Sequence, residues 1–427
     1  MQTLIKNGHL IDPGNKKNGE FDLLINKGKI EAVEARGKIN ETSDIEIIDA
    51  NGAIVSPGFC DMHVHFREPG HEYKETIETG SQSAAAGGFT TVAVMPNTDP
   101  VNDNRSVTEL IISQAKETSI VNVLPIGAIT KGLKGETLSD MGELKAAGCI
   151  GYSDDGRPVS DSELMRRALE YSKMFDLPCI QHSEVLELTR GGSMNEGIVS
   201  TELGLKGMPT EAEDIMVHRD ICLLPKTGGR LHVAHISSGG AVDLVRQAKA
   251  KGLPVTCEVA PHHFTLTHDA CRGYDTNAKM SPPLRAERDI EMIKEGMKDG
   301  TIDFIATDHA PHDLVDKQME FSKACFGIVG LETALPLTLK MVDEKVISLE
   351  KAIDMLTFQP NRVFGLDKGT LGIGKAADIT LFDEKMEYSI DPSKFKSRSK
   401  NSPYKGWNVR GKILRTLVNG KTVFKNN

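Results

Sequence analysis

An α/β fold, a (β/α)8 barrel of the TIM type with a small β-domain built from both chain termini, is what this 427-residue sequence predicts. Three observations lead there. The middle of the chain repeats short apolar or β-branched runs that end in polar residues, usually with a helix-like segment before the next run. Eight such units fall within about 250 residues, which suits a closed barrel better than an open sheet. Both ends of the chain lack this rhythm and read as short strands joined by tight turns.

Taken in order, "TLIKNGHLIDPG", "FDLLINKGKIEAV" and "IEIIDANGAIV" are short strands separated by Asn-Gly, Pro-Gly or Lys-Gly turns. The barrel strands follow in "AIVSPGFCDMHVHF", "GFTTVAVMPN", "VNVLPIGAIT", "AAGCIGYSDD", "LPCIQHSE", "RLHVAHISS", "LPVTCEVAPHH" and "TIDFIATDH". Near-continuous apolar strands imply a parallel sheet covered by helices. The covering helices include "SVTELIISQAKE", "SELMRRALEYSKMFD", "GAVDLVRQAKAKG" and "RDIEMIKEGMKDG", the last two closing on glycine as helix C-termini commonly do. After the barrel, "AADITLFD" and "ILRTLVNGKTVFKN" return to short strands. The expected divisions are 1–54 and 367–427 for the two parts of the β-domain and 55–366 for the barrel. "KSRSKNSPYKG" is expected to be an exposed loop with a solvated charged face.

Composition narrows the function. Hydrophobic residues at 39% and charged residues at 26% describe a globular chain. A net charge of 51 − 60 = −9 offers no basic surface to nucleic acid or acidic membranes. The start, "MQTLIKNGHLIDPG", lacks the apolar core of a secretory signal, and no run approaches the roughly 20 apolar residues that cross a bilayer. The expected location is the cytoplasm. Seven single cysteines without a C-x-x-C pair read as reduced thiols packed in the core.

Barrel enzymes carry their chemistry at the C-terminal ends of the strands. Those ends hold His63 and His65, Asn97, Asp154 and Asp155, His182, His235 and Asp308. Residues i and i+2 of a strand share a face, so His63 and His65 can aim at one ion. Imidazole with carboxylate suits zinc or a related divalent metal. No single element persuades, since a lone histidine is more often a satisfied polar group and an aspartate at a strand end more often a turn residue. Four histidines and two carboxylates, each at the end of a different strand or paired on one, are another matter. Six ligands exceed one tetrahedral zinc and suit two metals sharing a bridge.

The motifs "SPGFCDMHVHFREPG", "GGFTTVAVMPNT", "YSDDG", "QHSE", "VAHISS", "PPLR" and "IATDHAPH" run the length of the chain in an order that resembles the amidohydrolase superfamily, and within it the bacterial-type (type I) dihydroorotases. The resemblance implies that His63, His65 and Asp308 hold a first metal and His182 and His235 a second. Many relatives bridge their metals with a carboxylated lysine on the fourth strand. Here that strand reads "CIGYSDDGRP", and the resemblance puts a bridging aspartate at Asp155, with strand alternation sending Asp154 to the other face.

It also implies that Arg67, Asn97 and His312 hold a substrate carboxylate, for which a guanidinium fork is well suited. Backbone groups at Phe326 and Gly327 would meet the dihydropyrimidine ring. Relatives commonly have Asn before "PPLR", where this chain has Ser281, a shorter group able to make one hydrogen bond. His262 and His263 are expected behind the ligands or in the core; His9, His218, His232, His268 and Glu258 are expected to be structural, and Cys325 has no evident base.

The implied activity is reversible cyclisation of N-carbamoyl-L-aspartate to L-dihydroorotate and water in pyrimidine biosynthesis, with Asp308 as general acid and base. The implied cofactors are two divalent metal ions, zinc foremost. The small molecule is the substrate, and a second copy of the chain or aspartate transcarbamoylase are the protein partners to consider. The alternatives are another cyclic amidohydrolase, such as a hydantoinase or allantoinase, and a non-catalytic scaffold subunit. Against the first stand the missing lysine and the carboxylate clamp; against the second, the intact ligand set.

Overall fold

The computed structural model describes residues 2–426. Eight short parallel strands fill its middle: β1 (Phe59–Val64), β2 (Phe89–Val94), β3 (Asn122–Pro125), β4 (Tyr152–Ser153), β5 (Cys179–Gln181), β6 (Leu231–Val233), β7 (Val255–Val259) and β8 (Phe304–Ile305). They lie in chain order as two parallel sheets, β1 to β3 and β4 to β8. Single parallel bridges, Gly127 with Tyr152 and Val64 with His309, join the edges of one sheet to those of the other. Every residue of β1 and β2 is buried, as expected of strands covered on both faces.

The expected helices form between the strands. Arg105–Thr118, Ser162–Lys173, Gly239–Ala250 and Glu287–Asp299 each bury an apolar stripe, for example Ile290, Ile293 and Met297 in the last. Their starts are set locally: the side chains of Asn104, Asp161 and Ser238 accept from the backbone N–H three residues on, satisfying groups with no partner in the first turn. Gly300, at φ +83°, ends the last of them in the left-handed conformation that glycine adopts without strain.

The chain ends meet. A six-stranded sheet runs in the order Lys421–Lys425, Asn408–Val418, Ile379–Ser389, Ile54–Pro57, His9–Asp12, Lys17–Gly19, so strands from both termini pair directly. A four-stranded sheet of N-terminal strands, Lys29–Ala35, Phe21–Asn26, Gln2–Lys6 and Ile45–Asp49, lies in the same terminal region. Leu10, Leu23, Val55, Ile379 and Leu417 form a core of their own there, separate from the larger core around the parallel strands.

One expectation holds only in part. The charged residues of the 396–406 segment are exposed, but Ser397, Ser399, Asn401, Ser402 and Tyr404 are all buried. The Ser399 hydroxyl donates to the Lys74 carbonyl and the Tyr404 hydroxyl meets Thr265, so the segment is strapped across the barrel. Its charges, Lys396, Arg398 and Lys400, alternate with small polar residues that turn inward.

Candidate metal and substrate site

The C-terminal ends of the strands bring His63, His65, Asp155, His182, His235 and Asp308 into one buried cluster. Asp61 helps to shape it: its carboxylate accepts from the Thr307 N–H at 3.1 Å and hydroxyl at 2.5 Å, tying β1 to the segment after β8 that carries Asp308. His235 and Asp308, with Arg67 beside them, have φ of 31°, 48° and 62°, strained values that non-glycine residues keep where the surroundings enforce them.

The Asp155 carboxylate sits at the centre. Its Oδ1 lies 3.4 Å from His63 Nε2, 3.6 Å from His182 Nδ1 and 3.4 Å from His235 Nε2, and its Oδ2 lies 3.4 Å from His65 Nε2. Asp308 Oδ1 faces His65 Nε2 at 3.1 Å and His63 Nε2 at 3.6 Å. Asp154 turns away and accepts from the Thr130 N–H at 2.9 Å and from the Thr130 hydroxyl.

Three of the four imidazoles are oriented by a partner on the far nitrogen. His63 Nδ1 donates to Glu258 at 2.6 Å, His65 Nδ1 to the Asn97 carbonyl oxygen at 2.9 Å, and His182 Nε2 to Glu184 at 3.1 Å. The opposite nitrogens are thereby left as bare lone pairs aimed at the cluster, the arrangement that a metal-binding histidine requires. Glu258 is wholly buried and also meets His232 Nε2 at 3.2 Å. It is therefore not the merely structural residue expected from the sequence. Sequence reasoning also missed Glu184; a carboxylate two residues past a strand-end histidine was the available signal.

The donor set fits divalent metal. His63 Nε2 is buried without a hydrogen-bond partner, opposite two carboxylates that also only accept. Ligand atoms about 2.1 Å from a tetrahedral zinc stand about 3.4 Å apart, close to the spacings here. The charges agree. Burial opposes ionisation of Asp155 and Asp308, yet the surrounding histidines hold both below the usual carboxylate range. Burial also disfavours a charged His63, but Asp155, Asp308 and Glu258 outweigh it and raise that imidazole well above its ordinary value. The pocket attracts positive charge at the point where the lone pairs converge.

Beside the cluster opens a cavity of about 410 Å³ lined by His65, Arg67, Asn97, Ser281, Asp308, His312 and Phe326, among others. Arg67 Nη2 donates to His312 Nε2 at 3.4 Å, and Lys74 Nζ lies 3.3 Å from His312 Nδ1. Burial, with Arg67 and Lys74 adding to it, lowers His312 to about 2, so the ring is neutral among cations. Asn97 spends its oxygen on His65, which leaves its NH2 group as a donor. Gly327 is not on the cavity wall. Its N–H donates to the Lys279 carbonyl at 2.9 Å, and its carbonyl accepts from Lys317 and Asn401. His262 and His263 are buried in the short helix Pro261–Thr265, where His263 Nε2 meets the Pro282 carbonyl at 3.0 Å.

A buried imidazole–carboxylate cluster at the mouth of parallel strands, opening on a small cavity, is the arrangement of a hydrolase site that can hold metal. Residues 54–423 match the model of the amidohydrolase family, whose members use divalent metals. The chain is 54% identical over 426 residues to the dihydroorotase of Geobacter metallireducens, covering all of both chains. It is 52% identical over 423 residues to that of Acetivibrio thermocellus, covering 99% of each. The chain belongs to the amidohydrolase family and, within it, to the dihydroorotases. Among solved structures, L-hydantoinase from Arthrobacter aurescens superposes with a TM-score of 0.89 at 27% identity, covering 99% of this chain and 96% of that one, and supports a TIM-type fold.

Proposed function

We propose that this protein is a dihydroorotase, cyclising N-carbamoyl-L-aspartate to L-dihydroorotate with loss of water, and reversing that reaction, in pyrimidine biosynthesis. The observation that carries the reading is the Arg67 guanidinium beside the neutral His312 ring, which share one cavity with His65 and Asp308. A ring bearing a carboxylate would find its charge partner there while its amide faces the metal ligands.

In this reading His63, His65 and Asp308 would hold one ion and His182 and His235 another, with the Asp155 carboxylate available to both; imidazole with carboxylate favours zinc. When bound, the ions would supply a water of lowered pKa and polarise the reacting carbonyl. The chain does the rest. Arg67 offers its fork to the substrate carboxylate, the Asn97 NH2 group and the His312 ring complete the clamp, and Ser281 and Phe326 close the cavity around the ring. Asp308, kept ionised, accepts the proton of the attacking water and returns it to the departing ring nitrogen in hydrolysis. Positioning by the clamp converts an encounter into an oriented reaction. We place Gly327 as a residue that shapes the loop, since its backbone groups are engaged within the protein.

The same proposal includes closure of the two parallel sheets into one (β/α)8 barrel, supported by the Gly127–Tyr152 and Val64–His309 bridges. It includes a division into a terminal β-domain and a central barrel, expected at 1–54, 55–366 and 367–427 and supported by the separate core of the terminal sheets, with the first boundary moved past Pro57 because Val55 and the strand Ile54–Pro57 belong to the terminal sheet. It also includes a cytoplasmic location, for which the supporting fact is that no helix among the described residues is long and apolar enough to cross a membrane. Self-association and docking onto aspartate transcarbamoylase are tested together by sizing the protein alone and mixed with that enzyme. The function itself is tested by the rate of dihydroorotate hydrolysis by metal-loaded protein. No turnover above that of the metal-free protein would refute it.

A further inference from the structure

We infer that Asn401, on the strap near the C-terminus, is a positioning residue that holds the carboxylate-binding wall of the cavity in register. The part of this that concerns substrate rests on the functional reading above. Asn401 is 4% exposed, and its carboxamide is fully used. Oδ1 accepts from the His312 N–H at 3.1 Å, and the two hydrogens of Nδ2 go to the Ala310 and Gly327 carbonyls, each at 3.0 Å. Its backbone carbonyl accepts from the Val329 N–H at 3.0 Å. One side chain therefore joins the segment that follows Asp308 to the segment that carries Phe326.

The two segments are built to meet closely. A Cβ on Gly327, at φ +153°, would stand 2.6 Å from the Ala310 carbonyl oxygen and 2.7 Å from the His312 ring. Lys317 reaches into the same junction, donating to the Cys325 carbonyl at 2.8 Å and the Gly327 carbonyl at 3.1 Å. The strap makes a second attachment nearby. The Ser397 hydroxyl and the Arg398 N–H, the latter at 2.9 Å, hold Glu75, whose carboxylate faces His309 Nε2 at 3.4 Å. The residues just after Asp308 are thus fixed through Glu75 and through Asn401.

The chemistry selects asparagine. Aspartate could still accept from His312 but would set an oxygen against the Ala310 and Gly327 carbonyls. Serine is too short to span both segments. Neither change touches the metal ligands, so the expected damage is to the placement of His312 and Phe326 and hence to substrate binding.

The test compares Asn401→Ser and Asn401→Asp with the unaltered protein in two measurements. In hydrogen exchange of the metal-loaded protein, peptides covering 309–316 and 325–330 should exchange at least about tenfold faster, while those covering 59–64 and 179–182 keep their protection. In steady-state hydrolysis, KM for dihydroorotate should rise about tenfold or more with kcat within about threefold and bound metal unchanged. Exchange unchanged at both loops, KM unchanged, or loss of protection and folded protein throughout the barrel in both variants would overturn the proposal. If the unaltered protein ignores dihydroorotate, the functional reading fails alone, and the exchange measurement still judges whether Asn401 joins the two loops.

Discussion

Replacing Glu258 by glutamine should weaken metal binding. The carboxylate is 1% exposed and accepts from His63 at 2.6 Å and His232 at 3.2 Å. Glutamine has the same shape, and its oxygen can still accept from His63. Its NH2 group then faces His232, whose other nitrogen meets the Thr256 hydroxyl at 2.8 Å, a group that accommodates either tautomer. What is lost is the charge. A hydrogen bond to an ionised group contributes roughly 1.5–3 kcal/mol and a neutral one roughly 0.5–1.5, so about 1–1.5 kcal/mol is removed from the support of His63. Each 1.4 kcal/mol or so is a factor of ten, which places the loss of metal affinity near tenfold, at the lower edge of the roughly 10–100-fold usual for groups that orient a ligand. The metal-free variant should also melt somewhat earlier than the unaltered protein, because His63 and His232 hold the Glu258 carboxylate ionised and glutamine removes the charged partner of a buried pair. The assay is competition with a chromophoric zinc chelator, with a thermal melt of the metal-free protein as control. Affinity within twofold of the unaltered protein would refute the idea that Glu258 aims His63.

Asp308→Asn should lower hydrolysis of dihydroorotate by at least about a thousandfold when metal content is matched, since an amide cannot relay a proton; a near-normal rate would exclude the acid–base role. Arg67→Met should raise KM for dihydroorotate by about 30–100-fold, the loss expected for a charge-assisted bidentate contact, and an unchanged KM would remove Arg67 from the clamp. A pH effect should arise at Lys317, whose ammonium is brought down by burial, with Lys279 adding to it, from 10.5 to about 7. Between those values the unfolded chain holds a proton that the folded one has released, so stability from this group rises with pH, by at most about 1.4 kcal/mol per unit. In urea melts between pH 7 and 9, the stability of the unaltered protein relative to Lys317→Met should climb with pH, and a constant difference would contradict this.

Much of the site was legible because its groups sit where short apolar runs end. His63 and His65 share a face as strand alternation predicts, while Asp155, in the turn just after β4, enters the cluster and its neighbour Asp154 accepts from Thr130 instead. The partners of those groups were not legible. Glu258 lies 195 residues from His63, and nothing local marks it as facing β1. The strap was misread because Lys396, Arg398 and Lys400 suggest a solvated loop, while the inward residues beside them are serines and an asparagine whose side chains bond to groups 74 to 325 residues away. Asn401, Ser397 and Ser399 bury no apolar stripe, so hydrophobic periodicity has nothing to report there; only the carbonyls and carboxylates they meet reveal them. Gly327 shows the same limit, since its backbone bonds go to Lys279, Lys317 and Asn401 on separate segments.

The claim that Arg67 and His312 select a ring with a carboxylate is tested most directly by offering zinc-loaded protein dihydroorotate, hydantoin and allantoin side by side. The expected result is turnover of dihydroorotate with kcat/KM at least about a hundredfold above either neutral ring, the discrimination that one charged, paired group can supply. Preferential hydrolysis of hydantoin or allantoin would contradict it.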